Sequence, residues 1–395
     1  MDGRRIAAVA LRTAVAMLSV MVLVGTGYGF LVYREVSDGI VTSGALGERP
    51  PRGLDEAFTA LLVGIDTRTD AVGNPLPPEV LAELRAGADE GQSNTDTIIL
   101  LHVPAGARAS ASAVSIPRDS FVELPGDLGR HKINSVYRRG MAAAEDELSG
   151  LDGAPRERAQ REAGRRALVG TVEALTGVAV DHFAEINLAG FVEITEAIGG
   201  VPVCLNAAVR EERAGIDLPA GRQILDGSDA LAFVRQRHDL PEGDLDRVTR
   251  QQAFLAGLVR TALAPGALAD PARVDALVRA VTRYVVLDRG WDLDQLLSQL
   301  RRTAGSEISF RTIPTGRPDL DTPVDGVAVE IDPEQVRGFV AGIVGGPGRP
   351  GPAPTTVGTV PLAPAAAPAA STATSTATST AEEESITAGT VPCVD

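Results

Sequence analysis

The feature that most constrains this chain is an uncharged, apolar stretch near its N-terminus, TAVAMLSVMVLVGTGYGFLVY, which occupies residues 13–33. At ~1.5 Å per residue, a helix of this length spans roughly 30 Å, which is the thickness of the hydrocarbon core of a bilayer. We therefore expect a transmembrane helix at residues 13–33, with the rest of the chain folding on one side of the membrane.

Basic residues set the expected direction of this helix. Arg4, Arg5 and Arg12 precede it, and positive charge favours the cytoplasmic side. Residues 1–12 are then cytoplasmic, and everything after Arg34 is extracellular. The chain is therefore expected to be a single-pass protein of the cell membrane. A cleaved signal peptide is the alternative, but its apolar region is usually only about 7–15 residues long, and no A-x-A cleavage site follows Tyr33.

Composition divides the remainder of the chain into three parts. Residues 34–56 are polar and predict a short stalk, and residues 57–345 have the mixed pattern of a globular extracytoplasmic domain with ample core. Residues 346–395 are rich in Pro, Ala, Ser and Thr, a composition that cannot form a core. This tail carries a cysteine close to its end.

Hydrophobic periodicity within the globular part predicts an α/β fold. Three apolar runs read as buried strands: 58–65, 96–103 and 112–117. Helical patterns and weaker strands follow, with helices at 161–176, 188–198, 227–234, 246–263, 271–286 and 291–303, and strands at 182–187, 201–204 and 308–313. The Asp332-Pro333 pair predicts the start of a last helix. The mixture indicates a three-layer α/β/α domain with a central mixed sheet, preceded by one transmembrane helix.

Charge and cysteine content exclude some classes of function. The net charge is −15, which argues against nucleic acid as a partner. The four histidines show no ligand spacing for zinc. In an oxidising compartment, Cys204 and Cys393 suggest a disulfide, with two unpaired thiols as the alternative. Lys132 is the only lysine in an arginine-rich chain, which makes it a candidate site residue.

Arginines are concentrated between residues 235 and 251 of this acidic protein. Arg235 and Arg237 lie two apart, while Arg247, Arg250 and Gln251 are spaced i, i+3, i+4, as on one side of a helix. Planar guanidinium groups in such a cluster suit a compact di-anion such as a pyrophosphate. The alternative is a set of surface arginines paired with neighbouring acidic residues.

The three N-terminal strands predict a second part of the same site. If they run up, down and up, one edge of the sheet carries Asp66, Asp96 and the Arg118-Asp119 pair. Two carboxylates suit Mg²⁺, whose other ligands are water and substrate phosphate. Asp66 and Asp96 could instead be ordinary turn and cap residues.

The chain also resembles a known family. Its successive blocks are similar to the signature blocks of the LytR-CpsA-Psr family and occur in the same order: VGIDTR, NTDTIILL, SIPRDSFVELPG, HKINSVYRRG, GFVEITEAIGGVPV, LDGSDALAFVRQRH and GDLDRVTRQQ. Two departures from the family pattern are the long segment between Asp66 and Asp96, which is expected to reshape access for the acceptor, and Glu196, which replaces a common aspartate.

The resemblance implies an extracytoplasmic phosphotransferase. Such an enzyme takes a glycan polymer from a polyprenyl-pyrophosphate carrier and joins it to the C6 hydroxyl of N-acetylmuramic acid in peptidoglycan. It implies that Asp66 and Asp96 hold Mg²⁺ and that the pyrophosphate-binding residues include Arg118, Arg235, Arg237, Arg247 and Gln251. Further motif positions are Arg68, Asp119, Lys132, Asn134, Asp244 and Arg250, of which we assign Arg68, Lys132 and Arg250 to the pyrophosphate as well.

Catalysis is assigned to Arg118, Arg235, Arg237 and Asp244. Asp244 is the candidate base for the sugar hydroxyl, with a role as counter-ion to an arginine as the alternative. The apolar helices 188–198 and 253–263 could line a trough for the carrier lipid, or be ordinary core helices. Two rival functions remain: hydrolysis of the polyprenyl pyrophosphate by water, and a non-catalytic membrane-anchored regulator.

Overall fold

A computed structural model describes residues 3–49, 56–85, 93–106, 110–211, 216–236, 244–264, 266–267, 269–291, 308–345, 386–387 and 392–395. It confirms an α/β/α fold with a large central mixed sheet. The strands of this sheet are β1 (Val41–Ser43), β2 (Phe58–Asp66), β3 (Asn94–Val103), β4 (Ala111–Ser115), β7 (His182–Asn187), β12 (Val285–Asp288), β13 (Ile308–Thr312) and β16 (Ile386–Thr387).

The central sheet has the order β1-β12-β7-β2-β3-β4-β13-β16. Strands β2, β3 and β4 are antiparallel neighbours, which confirms the predicted up-down-up arrangement. Strand β7 lies parallel to β2, and β13 lies parallel to β4. The C-terminal end of β2, the start of β3 and the end of β4 therefore lie at one edge of the sheet.

Helices cover both faces of this sheet. On one face α3 (Val136–Ala143), α4 (Gly153–Thr176) and α9 (Pro333–Val344) bury a core with β2 and β3. The opposite layer holds α5 (Leu188–Ala197), α6 (Gly227–Arg235), α7 (Asp244–Ala262) and α8 (Pro271–Tyr284), and a short α2 (Pro78–Glu83) packs beside it. Asp332 caps α9 through the backbone N–H groups of Glu334 and Gln335, as predicted.

Two smaller sheets and a separate two-stranded ribbon were not predicted as such. One has the order β14-β15-β5-β6 and contains β5 (Ser120–Glu123), β6 (Arg130–Lys132), β14 (Leu320–Thr322) and β15 (Gly326–Glu330). The other joins β8 (Val201–Leu205) to β11 (Gly221–Leu225) and β17 (Cys393–Val394), beside a β9 (Val209–Glu211) and β10 (Ile216–Leu218) ribbon. The first of these sheets follows Arg118 in the chain, and its strand β6 ends at Lys132. It therefore brings Lys132 to the edge of the central sheet that carries Arg118.

The N-terminal helix is longer than the sequence predicted. Helix α1 runs from Gly3 to Gly39, and residues 41–43 form β1, which pairs in parallel with β12 at the edge of the central sheet. Much of the expected stalk at residues 34–56 is therefore structured, because helical hydrogen bonding continues beyond the apolar stretch into polar residues. Residues 346–385 of the expected tail lie outside the described residues.

A disulfide joins Cys204 of β8 to Cys393 of β17, across 189 residues of sequence. The two strands pair in parallel, with Cys393 opposite Cys204. The C-terminal residues are therefore fixed to the domain at the layer that contains α7, in agreement with the disulfide alternative of the sequence analysis.

Replacing both cysteines with serine is expected to lower the free energy of unfolding by about 2–5 kcal/mol, because the bond closes a very long loop. Denaturant unfolding of the oxidised protein and of the double variant measures this difference. Reduction of the wild-type protein should give a similar loss, and reduction should leave the variant unchanged. Equal stability of the two oxidised proteins would contradict a structural role for the bond.

Candidate active site

The site is built around an irregularity in the pairing of β2 with β3. Gly64 lies opposite Thr97 and Ile65 lies opposite Thr95, so Asp96 is an extra residue in β3. Such a β-bulge redirects a side chain and removes its residue from the regular ladder. Asp96 therefore lines a cavity beside the sheet, and its carbonyl oxygen is available to other groups.

Helix α7 is anchored to this bulge. The carbonyl oxygen of Asp96 accepts a hydrogen bond from Arg247 Nη2 at 3.0 Å and a longer one from Gln251 Nε2 at 3.4 Å. Gln251 Nε2 also donates to the carbonyl of Val234, near the end of α6, at 3.3 Å. Because Arg247 and Gln251 are one helical turn apart, one face of α7 joins the bulge to α6.

Arg118, which follows β4, is surrounded by carboxylates. Its Nη1 donates to Asp96 Oδ1 at 2.7 Å, and its Nε lies 3.7 Å from Asp244 Oδ1 and 3.8 Å from Asp119 Oδ1. Lys132 Nζ lies 3.5 Å from Asp119 Oδ1. Residues that are far apart in sequence thus form one charged cluster at the sheet edge.

The environment shifts two carboxylates of this cluster in opposite directions. Burial raises the pKa of Asp96, but the charges of Arg118 and Arg247 outweigh it, so this pKa lies below its ordinary value. For Asp244, burial is the largest effect, and despite the opposing charge of Arg247 its pKa lies above the ordinary value. Divergent pKa values in paired groups are typical of acid–base sites.

Asp244 is held mainly by ion pairs. It begins α7, its side chain is largely buried, and its Oδ1 lies 3.3 Å from Arg247 Nη2 and 3.7 Å from Arg118 Nε. The backbone of Asp119 is a further hydrogen-bonding neighbour, and the carboxylate accepts no side-chain hydrogen bond from a described residue. Because a carboxylate has about four acceptor sites, a substrate hydroxyl is one candidate for those that remain. The counter-ion role is compatible with the same contacts.

An apolar cavity of about 270 Å³ opens at this cluster. Asp96, Arg235, Arg247 and Gln251 form its polar end, and the remaining wall is largely apolar. Both helices that the sequence nominated contribute, α5 through Leu188 and Phe191 and α7 through Phe254 and Leu255; strand residues that include Leu62, Ala184 and Val285 complete the wall.

Arg235 lies at the last position of α6 and is half-buried in the cavity wall. It makes no hydrogen bond or salt bridge with another described residue, so its guanidinium can meet a ligand. Arg237, predicted to act with it, lies outside the described residues.

The structure does not bring Arg250 to the cavity, contrary to our assignment. Its guanidinium donates to Gln236 Oε1 and to the carbonyl of Asp395, and it lies 5.3 Å from the ring of Phe233. Arg250 is 1% exposed. It therefore links α7 to the end of α6 and to the C-terminal segment held by the disulfide.

Arg68 is not among the residues that line the cavity, and it pairs with a neighbour. Its Nη1 donates to Asp66 Oδ1 at 2.6 Å and to the Asp66 carbonyl at 3.1 Å. Asn134, another motif residue, contributes a backbone contact, since its N–H donates to the carbonyl of Arg118 at 3.0 Å. Both residues support the strand ends that carry the charged groups.

Asp66 and Asp96 supply oxygen ligands that suit a hard cation, but two carboxylates alone cannot complete its coordination. Leu62 and Gly64 line the cavity, and strand alternation places Asp66 on the same face of β2, opposite Asn94 of the adjacent β3 and two residues along that strand from Asp96. No group of three or more His, Cys, Asp or Glu side chains able to hold a metal occurs among the described residues. A cation here would need ligands from outside the protein, as Mg²⁺ commonly does.

Sequence reasoning missed two glutamines. Gln236 accepts from Arg250, and Gln252 Nε2 donates to the hydroxyls of Ser115 and Thr312, both at 3.0 Å. Gln252 thus fixes α7 to β4 and β13. Gln236 directly follows Arg235, and Gln252 directly follows Gln251. This adjacency to motif residues was the feature of the sequence that could have indicated them.

The chain is an α/β/α protein in which arginines lie at the polar end of an apolar cavity. The chain matches the LytR_cpsA_psr family over residues 45–336. It belongs to this family, which confirms the resemblance seen in the motif blocks.

Individual relatives agree with the family assignment. The chain is 46% identical to "Cell wall biosynthesis protein LcpA" of Corynebacterium glutamicum, over 83% of this chain and 64% of the relative's length. It is 26% identical to "Polyisoprenyl-teichoic acid--peptidoglycan teichoic acid transferase TagU" of Enterococcus faecalis, over 70% of this chain and 78% of the relative. The chain thus spans less than two thirds of the length of LcpA.

A solved structure shows the same fold. The crystal structure of TagV from Bacillus subtilis superposes with a TM-score of 0.52 and 22% sequence identity, covering 74% of this chain and 98% of that chain. At this identity the likeness concerns the fold alone.

Proposed function

We propose that this protein is a phosphotransferase that moves a glycopolymer from a polyprenyl-pyrophosphate carrier to peptidoglycan. The observation that carries the proposal is the junction of an apolar cavity with a cluster of arginines at one end. A lipid pyrophosphate has the same division between an apolar chain and a compact di-anion. The names of LcpA, a cell wall biosynthesis protein, and TagU, a teichoic acid transferase, support the same class of reaction.

The pyrophosphate would bind where Arg118, Arg235 and Arg247 meet. Guanidinium groups bind phosphate oxygens through paired, charge-assisted hydrogen bonds. Arg118 and Arg247 are held in place by Asp96 before any ligand arrives. Such preorganised donors stabilise charge that develops during phosphoryl transfer without reorganising at that moment. We propose a similar role for Arg237, and a longer-range electrostatic role for Lys132.

Asp66 and Asp96 would hold Mg²⁺ against the pyrophosphate. When bound, this ion would neutralise phosphate charge and help the bridging oxygen to leave. Asp66 is held by Arg68, and Asp96 by Arg118, so neighbouring arginines fix both carboxylates, Asp96 in the cavity wall and Asp66 at the end of β2.

Asp244 would accept the proton of the acceptor, the C6 hydroxyl of N-acetylmuramic acid. That oxygen would form a bond to the phosphorus attached to the glycan, and the bond to the bridging oxygen would break. Polyprenyl phosphate would leave, with its charge stabilised by the surrounding arginines. The raised pKa of Asp244 suits a base better than that of an ordinary aspartate.

Helix α1 would anchor the enzyme in the cell membrane. Among the described residues, one helix is long and apolar enough to span a bilayer, over Ala16–Gly39. With its basic N-terminus in the cytoplasm, the domain lies outside, where peptidoglycan is located.

A narrower cavity tests whether the carrier lipid binds there. Replacing Ala184, a cavity-wall residue, with phenylalanine should raise KM for a long-chain carrier by about tenfold or more, since each displaced CH₂ forfeits ~0.8 kcal/mol of burial. A soluble carrier with a very short chain should be affected much less. An equal effect on both carriers would contradict lipid binding in this cavity.

The reaction itself is tested with purified full-length protein, a lipid-linked glycan and peptidoglycan. We expect covalent attachment of glycan to peptidoglycan together with release of polyprenyl phosphate. Release of free glycan without attachment would identify a hydrolase instead. Lipid binding without any turnover would favour a non-catalytic regulator.

A further inference from the structure

Helix α1 packs along α8, and this contact fixes how deeply the domain lies relative to the membrane helix. The hydroxyl of Tyr28 donates to Asp275 Oδ1 at 3.0 Å and to the carbonyl of Pro271 at 3.4 Å. At the other end, Gly39 lies against Thr282. The two contacts are eleven residues apart on α1 and seven to eleven residues apart on α8, in the same direction along both chains. The helices therefore run parallel, and the first turn of α8 lies level with Tyr28.

This level sets a limit on the hydrocarbon boundary. Tyr28 lies five residues inside the apolar stretch 13–33, or about 7 Å at helical rise. However, Asp270, Arg273 and Asp275 are exposed at the same level, and charged side chains are costly inside the hydrocarbon core. The boundary must therefore lie near Tyr28. The first turn of α8 is then at the membrane surface.

The loop that precedes α8 has the chemistry of a membrane contact. Residues 263–269 read LAPGALA, without a charged or polar side chain. Leu263 is 38% exposed, and Ala264, Gly266 and Ala269 are exposed as well. An uncharged loop next to a transmembrane helix differs from the polar loops that usually face water.

The backbone of this loop is also suited to an environment poor in water. The N–H of Ala267 donates to the carbonyl of Ala264, and that of Ala269 donates to the carbonyl of Gly266, both at 3.0 Å. The N–H of Leu263 remains bonded to Val259 in the last turn of α7. Internal satisfaction of backbone donors is what a lipid environment requires.

We infer that the described residues of this loop, Leu263, Ala264, Gly266, Ala267 and Ala269, form a second membrane contact together with the first turn of α8, in the outer leaflet that surrounds α1. The occupant of this surface is the lipid interface itself, because the surface is continuous with a helix that spans the same bilayer. The inference rests on the membrane topology given under the proposed function, but not on the transfer reaction.

The contact would connect the bilayer to the charged cluster. Helix α7 contains 19 residues, about 28 Å at helical rise, and runs from Asp244 in the cluster to the apolar loop. Leu255, in the cavity wall, lies about 10 Å from the end of that helix. A long carrier could therefore keep the end of its chain in the membrane while its pyrophosphate reaches the arginines.

Fluorescence quenching by lipids tests this contact without requiring activity. The background is Trp291→Phe, which removes the only tryptophan of the chain. Leu263→Trp is compared with Val324→Trp, a matched exposed apolar position near β14. Full-length variants are reconstituted in vesicles of phosphatidylcholine with brominated acyl chains.

We expect at least about twofold quenching of Leu263→Trp by brominated lipid, because an interfacial side chain reaches roughly 5–10 Å into the boundary region. Val324→Trp should be unaffected. Equal quenching of the two variants, or none in Leu263→Trp, would overturn the inference. This result is independent of whether the protein transfers glycan.

An activity measurement without the tryptophan background gives a second test. Leu263→Asp should lower transfer from a long-chain carrier in vesicles by about fivefold, because a charged side chain weakens the contact between this loop and the lipid. Transfer from a short-chain soluble carrier should be unchanged, and Val324→Asp should affect neither. A loss with the soluble carrier equal to that in vesicles would contradict a membrane role for the loop.

Discussion

Replacing Arg118 with alanine is expected to lower transfer by about 10²–10³-fold in kcat, because it removes a preorganised donor to the phosphate charge. Arg118 is the centre of the cluster, with three carboxylates within 3.8 Å of its guanidinium. Its removal also leaves Asp96 without the partner that lowers its pKa. Arg118→Lys should recover only part of the activity, since an ammonium cannot donate in the same paired geometry.

The matched control for this variant is Arg138→Ala, which removes an exposed arginine from nearby α3. Its transfer rate should stay within about twofold of the wild type, because isolated surface charges contribute little. Unfolding experiments on both variants separate loss of chemistry from loss of structure. Unchanged transfer by folded Arg118→Ala would refute the role of Arg118.

Replacing Asp244 with asparagine is expected to lower kcat by about 10²–10⁴-fold, the usual contribution of a general base. In the wild type, the base must be unprotonated, so kcat/KM should fall as the pH decreases through the pKa of Asp244. Because burial raises this pKa, the acidic limb should lie above the ordinary aspartate value of about 3.9. The residual activity of Asp244→Asn should lack this limb.

Stability distinguishes the base from a simple counter-ion. A raised folded-state pKa means that the ionised carboxylate disfavours the folded state: the stability linked to Asp244 is present below its unfolded-state pKa and is lost as the pH rises through the folded-state pKa. At neutral pH, the free energy of unfolding of Asp244→Asn should therefore be at least as large as that of the wild type. A clear loss of stability with an unchanged pH profile would assign Asp244 to pairing with Arg118 and Arg247.

The strands and helices that position the site could be predicted because their signals are local. Strands β2, β3 and β4 are apolar runs bounded by turn residues, and antiparallel pairing of short connections brings their ends together. The direction of the Asp96 side chain could not be predicted, because the bulge depends on the register between two strands. Strict alternation would have placed Asp96 on the opposite face.

The position of Arg250 shows a second limit of sequence spacing. At about 100° per residue, Gln251 lies roughly 40° from Arg247 around the helix, whereas Arg250 lies roughly 60° away on the other side. The i, i+3, i+4 spacing alone placed Arg247, Arg250 and Gln251 on one side of the helix and so assigned all three to the same site. The binding partners of Arg250, Gln236 and Asp395, come from distant parts of the chain. Tertiary contacts therefore decided which arginines face the cavity.

The short strands around the site were also difficult to predict. Strands β5, β6, β14 and β15 contain three to five residues each, too few for a periodic pattern to emerge. The extension of α1 to Gly39 and its direct connection to β1 depend on packing against α8 and β12. Polarity alone suggested a stalk there.

If one lipid pyrophosphate binds at the arginines with its chain in the apolar cavity, a crystal structure can show both parts of it at once. The full chain would be crystallised in a lipidic mesophase with a short-chain polyprenyl pyrophosphate and Mg²⁺. We expect phosphate oxygens within hydrogen-bonding distance of Arg118 and Arg247, and isoprenoid density between Phe191 and Leu255. Density for the pyrophosphate at another surface, with the cavity empty, would contradict it.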